Sequence, residues 1–113
     1  MSNSLDNIEK YVKEAIAQAV PEMQDALQNK AKDFGWDKQL ASRLGISNSD
    51  NGLALDYPEG DKDAVEDSEY GFMGKPPKAA IRSFTSADGE LSKKVEKAMY
   101  TALNRVLAAA GIL

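Results

Sequence analysis

The chain has 113 residues, of which 42% are hydrophobic, and this size and composition suit one globular domain over residues 1–113. It contains neither cysteine nor histidine, which excludes disulfides, thiolate metal sites and catalytic pairs built on those side chains. We therefore expect a protein that is not an enzyme and uses no cofactor. The net charge of −4 disfavours sequence-specific DNA binding.

The N-terminus lacks the basic flank and continuous apolar run of a secretory signal. No stretch approaches the ~20 apolar residues that span a bilayer. We expect synthesis in the cytoplasm and no membrane partner.

Residues 4–35 have the periodicity of an amphipathic helix. Apolar side chains recur at steps of three and four, at Leu5, Ile8, Val12, Ala15, Ile16, Ala19, Met23, Leu27 and Ala31. Pro21 removes one backbone hydrogen bond and clashes with the carbonyl of Ala17, so we expect a kink or a junction of two helices near Val20. Gly35 suits the left-handed residue that ends a helix.

Two apolar segments of alternating parity flank an Asn-Gly pair and predict a β-hairpin with one buried face. Their apolar residues are Leu40, Leu44 and Ile46 before the turn, and Leu53, Leu55 and Tyr57 after it. Asn51 and Gly52 supply the turn itself.

Residues 58–79 predict a long irregular loop, with room for one short strand around residues 64–70. The segment has several glycines and prolines and few apolar residues. A loop of this length in a small domain usually has a function or becomes ordered against a partner. We expect residues 56–72 to be mobile in a free subunit and ordered in an assembly.

A second amphipathic helix follows a short helical turn over residues 79–84. Its apolar residues are Leu91, Val95, Ala98, Met99, Ala102, Val106 and Ala109, and Gly111 suits its end. The fold class is therefore α+β, with an N-terminal and a C-terminal amphipathic helix packed on a small antiparallel sheet beside a long irregular loop. The expected core comprises Ile8, Val12, Ile16, Leu55, Leu91, Val95, Met99 and Val106.

Charge is unevenly distributed along the chain. Residues 56–69 carry seven acidic side chains against Lys62, whereas residues 70–113 carry seven basic and three acidic ones. A solvated acidic loop and a solvated helix face are one explanation. The other is a contact between identical subunits, in which Asp61, Asp63, Glu66 and Asp67 approach Lys93, Lys94 and Lys97 of the next copy. A calcium loop starting at Asp61 fails, because its fifth and sixth positions are Val65 and Glu66.

The pattern Glu69-Tyr70-Gly71, Pro76-Pro77 and Arg82 joins this acidic segment to the last helix. Tyr70 and Phe72 are rigid aromatic anchors, so we add Glu69, Tyr70 and Phe72 to the candidate interface residues. The pattern resembles the small neck and tail-completion proteins of tailed bacteriophages, which carry a Glu-(Tyr or Phe)-Gly turn, a proline-rich stretch and an arginine before their last helix.

The resemblance implies a ring-forming structural protein located in the virion, between the head connector and the tail. Its implied partners are identical subunits and the neighbouring connector and tail proteins. Double-stranded DNA would pass through the ring as cargo only, and an acidic or neutral lumen would suit that passage because it repels phosphate. A different class of function stays open, namely a small cytosolic regulatory adaptor that binds a host or phage protein.

Overall fold

Helix α1 (Asn3–Asp33) is the longest element of a molecule that measures 59 × 24 × 20 Å. This is a computed structural model, which describes residues 3–49 and 52–111, with side chains from Ile8 onward. The helix is continuous through Pro21, so two separate helices meeting near Val20 are excluded. Gly35 (φ 92°) is the left-handed residue expected just after the helix, and the N–H groups of Gly35 and Trp36 donate to the carbonyls of Lys32 and Ala31, both at 3.0 Å.

Helix α2 (Lys38–Ser42) lies where the sequence predicted the start of a strand. The Asp37 carboxylate accepts a 3.0 Å hydrogen bond from the Leu40 N–H and caps this short helix. Leu40 and Leu44 are therefore buried as helix and loop residues and not as strand residues. Leu40 and Leu44 are four residues apart, a spacing that fits one face of a helix as well as one face of a strand, so parity alone cannot distinguish the two.

The β-hairpin is confirmed, with strands β1 (Gly45–Ser49) and β2 (Gly52–Asp56) antiparallel and Ile46 opposite Leu55. Its expected buried face is not found, because Ile46 and Leu53 are only half-buried and Leu55 is exposed. Gly52 (φ 109°) was expected in the turn but is the first residue of β2, opposite Ser49, and Asn51 lies outside the described residues. The side chain of Gln24 on α1 accepts a 3.2 Å hydrogen bond from the Ile46 N–H and so attaches the hairpin to the long helix.

Residues 59–70 are helical, which corrects the expectation of an irregular loop with a strand at residues 64–70 and argues against the expected mobility of residues 56–72 in a free subunit. A 3₁₀ turn (Glu59–Asp61) leads into helix α3 (Lys62–Tyr70). Val65 and Glu69 are four residues apart on one helical face, and only 3% and 2% of their surfaces are exposed. These two side chains anchor an otherwise acidic, solvent-facing helix to the core.

Helix α4 (Ala80–Thr85) confirms the expected short helical turn, and helix α5 (Glu90–Ala109) confirms the C-terminal helix. Gly111 (φ 79°) follows the end of α5 as expected. Ion pairs show that α5 runs antiparallel to α1: Lys30–Glu90 at 2.9 Å, Glu22–Lys94 at 3.3 Å and Glu14–Arg105 at 3.7 Å.

The main core forms around the C-terminal half of α1, where α2, α3, α4 and the hairpin meet. Its buried members are Leu27, Ala31, Trp36, Leu40, Ala41, Leu44, Val65, Ala80 and Phe84. A second cluster of small residues, Ala15, Ala98 and Ala102, joins α1 to α5. The architecture confirms the α+β class.

None of the eight expected core residues is fully buried. Five are half-buried, and of these Val12, Ile16 and Leu91 pack against the two core clusters. The expectation was wrong for the other three. Ile8, Leu55 and Met99 have 41%, 39% and 46% of their surfaces exposed. Their periodicity correctly identified the apolar face of each element, but no described segment covers that face at these positions.

Candidate interaction surfaces

Glu69 is a structural residue that joins α3 to α4. Its carboxylate accepts hydrogen bonds from the Ile81 N–H at 2.8 Å, from the Arg82 N–H at 2.9 Å and from Arg82 Nε at 3.0 Å. Arg82 also donates from Nη2 to the Glu69 carbonyl at 2.7 Å. Ala79 at the start of α4 has no side-chain acceptor, so Glu69 supplies the acceptors that the first turn of this helix needs.

The Tyr70 ring also contacts the guanidinium group of Arg82. The Arg82 guanidinium carbon lies 4.6 Å from the centre of the Tyr70 ring, which is a cation–π arrangement. Gly71 (φ 88°) then turns the chain sharply, and a Cβ there would lie 2.7 Å from the Lys75 carbonyl oxygen. The pattern of Glu69, Tyr70, Gly71 and Arg82 is thus one connected unit.

This unit presents a tight turn at residues 72–75, which we call the 72–75 turn. Phe72 and Lys75 exchange two backbone hydrogen bonds of 3.3 and 3.0 Å, and Met73 and Gly74 between them both have positive φ. Phe72 and Met73 are 55% and 84% exposed. The turn therefore exposes Met73 almost completely and Phe72 by about half, and Phe72 also lines a shallow pocket of its own subunit with Leu40 and Ala64.

The backbone beyond the turn is attached to the C-terminal end of α1. Trp36 Nε1 donates a 2.7 Å hydrogen bond to the Lys78 carbonyl, and Lys78 Nζ donates to the Gly35 carbonyl at 2.9 Å. The Lys78 N–H donates to the Ser68 carbonyl at 2.8 Å. The 72–75 turn is consequently located at the end of the molecule where α1 finishes.

The other predicted interface residues occupy different environments. Glu69 is buried inside the subunit and is unavailable to a partner. Asp61 receives two hydrogen bonds from Arg43, of 2.6 and 3.2 Å, and these raise the pKa of the Arg43 guanidinium above its ordinary value. Lys94 pairs with Glu22. The candidates left exposed on helices α3 and α5 are Asp63, Glu66, Asp67, Lys93 and Lys97.

A second apolar surface, absent from the predicted interface, lies near the opposite end of the molecule. It is an open groove of about 310 Å³. One wall is α1 around Ile8 and Val12, and the other wall is the C-terminal half of α5. We call it the terminal groove, and its lining residues are Ile8, Val12, Glu96, Met99, Tyr100, Ala102, Leu103 and Val106.

The terminal groove continues the apolar flank of the α1–α5 pair. One flank of the pair carries the ion pairs from Lys30–Glu90 to Glu14–Arg105. Near the main core, α4 and the hairpin pack beside α1 through residues such as Phe84 and Ile46. Toward the N-terminal end of α1, no described segment packs beside the two helices, and Leu103 is 50% exposed. Apolar periodicity predicts the face, but only the tertiary structure shows that no other described element covers it.

Other kinds of site are not evident in the part of the chain that the structure describes. Residues 3–49 and 52–111 contain no group of three or more acidic side chains placed to hold a metal ion. Their helices are each too short or too polar to cross a lipid bilayer. All buried side-chain nitrogen and oxygen atoms in these residues have a hydrogen-bond partner.

Comparisons with known proteins give no match for this chain, whether to a family model, to a curated protein or to a solved structure.

Proposed function

We propose that this chain is a ring-forming structural subunit of a tailed bacteriophage, of the neck or tail-completion type, that joins the head connector to the tail. It is made in the host cytoplasm and becomes part of the virion. Its partners are identical subunits and the adjoining connector and tail proteins, and double-stranded DNA passes it without being held. The role requires no enzymatic activity and no cofactor.

The observation that carries this proposal is the construction of the segment from Glu69 to Arg82. The residues that resemble the phage neck pattern hold one another, and together they present Phe72 and Met73 to solvent. A ring subunit needs such an apolar contact surface, because exposed charge pairs contribute little affinity.

The terminal groove adds support, because a ring subunit needs two different contact surfaces. Each copy in a ring gives one surface to the preceding copy and another to the following one. The 72–75 turn and the terminal groove are separate apolar surfaces on one small domain. A regulatory adaptor could use the same groove to bind a helix of its target, and its oligomeric state would differ.

Light scattering coupled to size exclusion, followed by negative-stain imaging, tests the first half of the proposal. We expect closed rings of the purified full-length chain at high protein concentration. Inactivation of the gene in a phage that encodes the chain tests the second half. We expect filled heads and free tails that fail to join, and joining should be restored by adding the purified chain. A monomer or dimer at every concentration, together with normal particles from the inactivated phage, favours the adaptor.

A further inference from the structure

We propose that the 72–75 turn of one subunit inserts into the terminal groove of the next copy of this chain. The inference rests on the proposed ring-forming function and identifies the contact that would build the ring. It assigns the groove one occupant, a second copy of the same protein, and it assigns Phe72 and Met73 as the inserted side chains.

The turn is built to act as a fixed insert. Its backbone is closed by the two Phe72–Lys75 hydrogen bonds, and Gly71 before it fits closely against the Lys75 carbonyl. Glu69 and Arg82 fix the chain on either side. A segment already held in its bound conformation loses little conformational freedom on association, which favours binding.

The groove has the size and chemistry that these two side chains need. Cavities of about 150 Å³ can hold a benzene molecule, so the groove's volume of about 310 Å³ is enough for the Phe72 ring and the Met73 side chain. Met99 and Leu103 on its wall are flexible or branched apolar residues that adapt to such an insert.

One subunit cannot fill its own groove with its own turn. The turn is attached through Lys78 to Gly35 and Trp36, at the C-terminal end of α1. The groove begins at Ile8 on the same helix. At 1.5 Å per residue, the helix from Ile8 to Asp33 is about 38 Å long. The contact must therefore join two molecules head to tail.

The turn and the groove each carry one charged side chain, and the two are of opposite sign, although Asp37 and Asp67 of the same subunit line the pocket beside Lys75. Lys75 stands in the turn beside Phe72 and Met73, and Glu96 is the charged residue among those that line the groove. Neither side chain forms an ion pair within the described part of the chain. Their pairing across the contact would orient the turn in the groove and would disfavour insertion in the opposite direction.

A mixing experiment tests the proposal. Phe72→Asp places a charge on the turn and leaves the groove intact, whereas Leu103→Asp does the converse. Both side chains are exposed, so both variants should fold. We expect each variant alone to associate roughly 30-fold more weakly than the wild type, as for an interface hot spot. Mixing the two should give a heterodimer, because one intact turn and one intact groove remain.

Asn104→Asp serves as the matched control, because it adds the same charge to the exposed residue beside Leu103, outside the groove. It should form rings like the wild type. The absence of natural cysteine permits a second readout. Met73→Cys and Leu103→Cys chains, when mixed, should be joined by a bifunctional maleimide into a cross-linked heterodimer.

The outcomes separate this inference from the proposed function. If both Asp variants form rings as readily as the wild type, the turn-in-groove contact is wrong, and the ring-forming function is not affected. Loss of association in Leu103→Asp only, with no heterodimer on mixing, shows that two grooves face each other and also overturns the contact. A wild-type protein that stays monomeric at every concentration overturns the ring-forming function, and this inference with it.

Discussion

Removal of the Glu69 carboxylate should destabilise the domain far more than removal of any neighbouring acid. We consider Glu69→Ala, which leaves the N–H groups of Ile81 and Arg82 without their acceptor and the Arg82 guanidinium without its charged partner. The matched control is Glu66→Ala, on the same helix but in solvent.

The magnitude follows from the number and burial of the lost hydrogen bonds. An unsatisfied buried donor costs about 1–3 kcal/mol, and Glu69 serves two backbone donors while itself only 2% exposed. The Arg82 side chain is half exposed, so water can hydrogen-bond to it in the variant, and its contribution to the loss of stability is small. We expect a loss of about 2–5 kcal/mol, which is a large part of the about 5–15 kcal/mol typical of a domain. Glu66→Ala should change stability by less than about 0.5 kcal/mol.

Urea unfolding followed by circular dichroism measures both variants, with the wild type as reference. The denaturation midpoint should fall clearly for Glu69→Ala at an unchanged slope, and it should stay near the wild-type value for Glu66→Ala. Equal midpoints for the two variants would show that the bond network between α3 and α4 contributes little to folding, and our account of the motif would be refuted.

Three further predictions concern the turn, the charges and DNA. Gly71→Ala should destabilise the protein by about 1–3 kcal/mol more than Gly74→Ala, since both have positive φ but only Gly71 lacks space for a Cβ; equal melting temperatures would contradict this. Reversal of both Lys93 and Lys97 to Glu should weaken rings without unfolding the subunit, and added salt should weaken wild-type rings gradually; rings that are insensitive to both would exclude an electrostatic contribution. Duplex DNA should show no mobility shift with the purified chain at physiological salt, and a saturable shift would contradict passage without binding.

The elements that the sequence predicted well are those determined by local chemistry. The periodicity of α1 and α5 and the helix ends at Gly35 and Gly111 all depend on residues a few positions apart. Helix α2 shows how close a local signal was to being recognised. Asp37 is a good N-cap three residues before Leu40, whereas the alternating parity of the apolar residues favours a strand at the same place.

Tertiary structure decided the remaining features. Helix α3 has one buried apolar side chain, Val65. Its other buried side chain is Glu69, which the sequence alone indicates as a surface residue and which is buried because it pairs with Arg82 in the fold. The sequence motif contained both Glu69 and Arg82, but their spacing of 13 residues gave no indication of a bond. Likewise, the apolar periodicity of Met99 identified a helix face and could not tell whether another element covers it.

If the chain forms the proposed ring, folding and association depend on the same few residues. Glu69 stabilises the start of α4, and the bond it makes to Arg82 also fixes the chain on both sides of the 72–75 turn. A loosened turn would have to lose conformational freedom on binding, at about 0.5–1.5 kcal/mol for each immobilised side chain. Substitutions that weaken the Glu69–Arg82 pair without unfolding the domain should therefore reduce ring formation as well, although neither residue would touch the neighbouring subunit. The contacts among Glu69, Tyr70, Gly71 and Arg82 thus give a physical reason for the pattern, because together they support an apolar projection on a small domain.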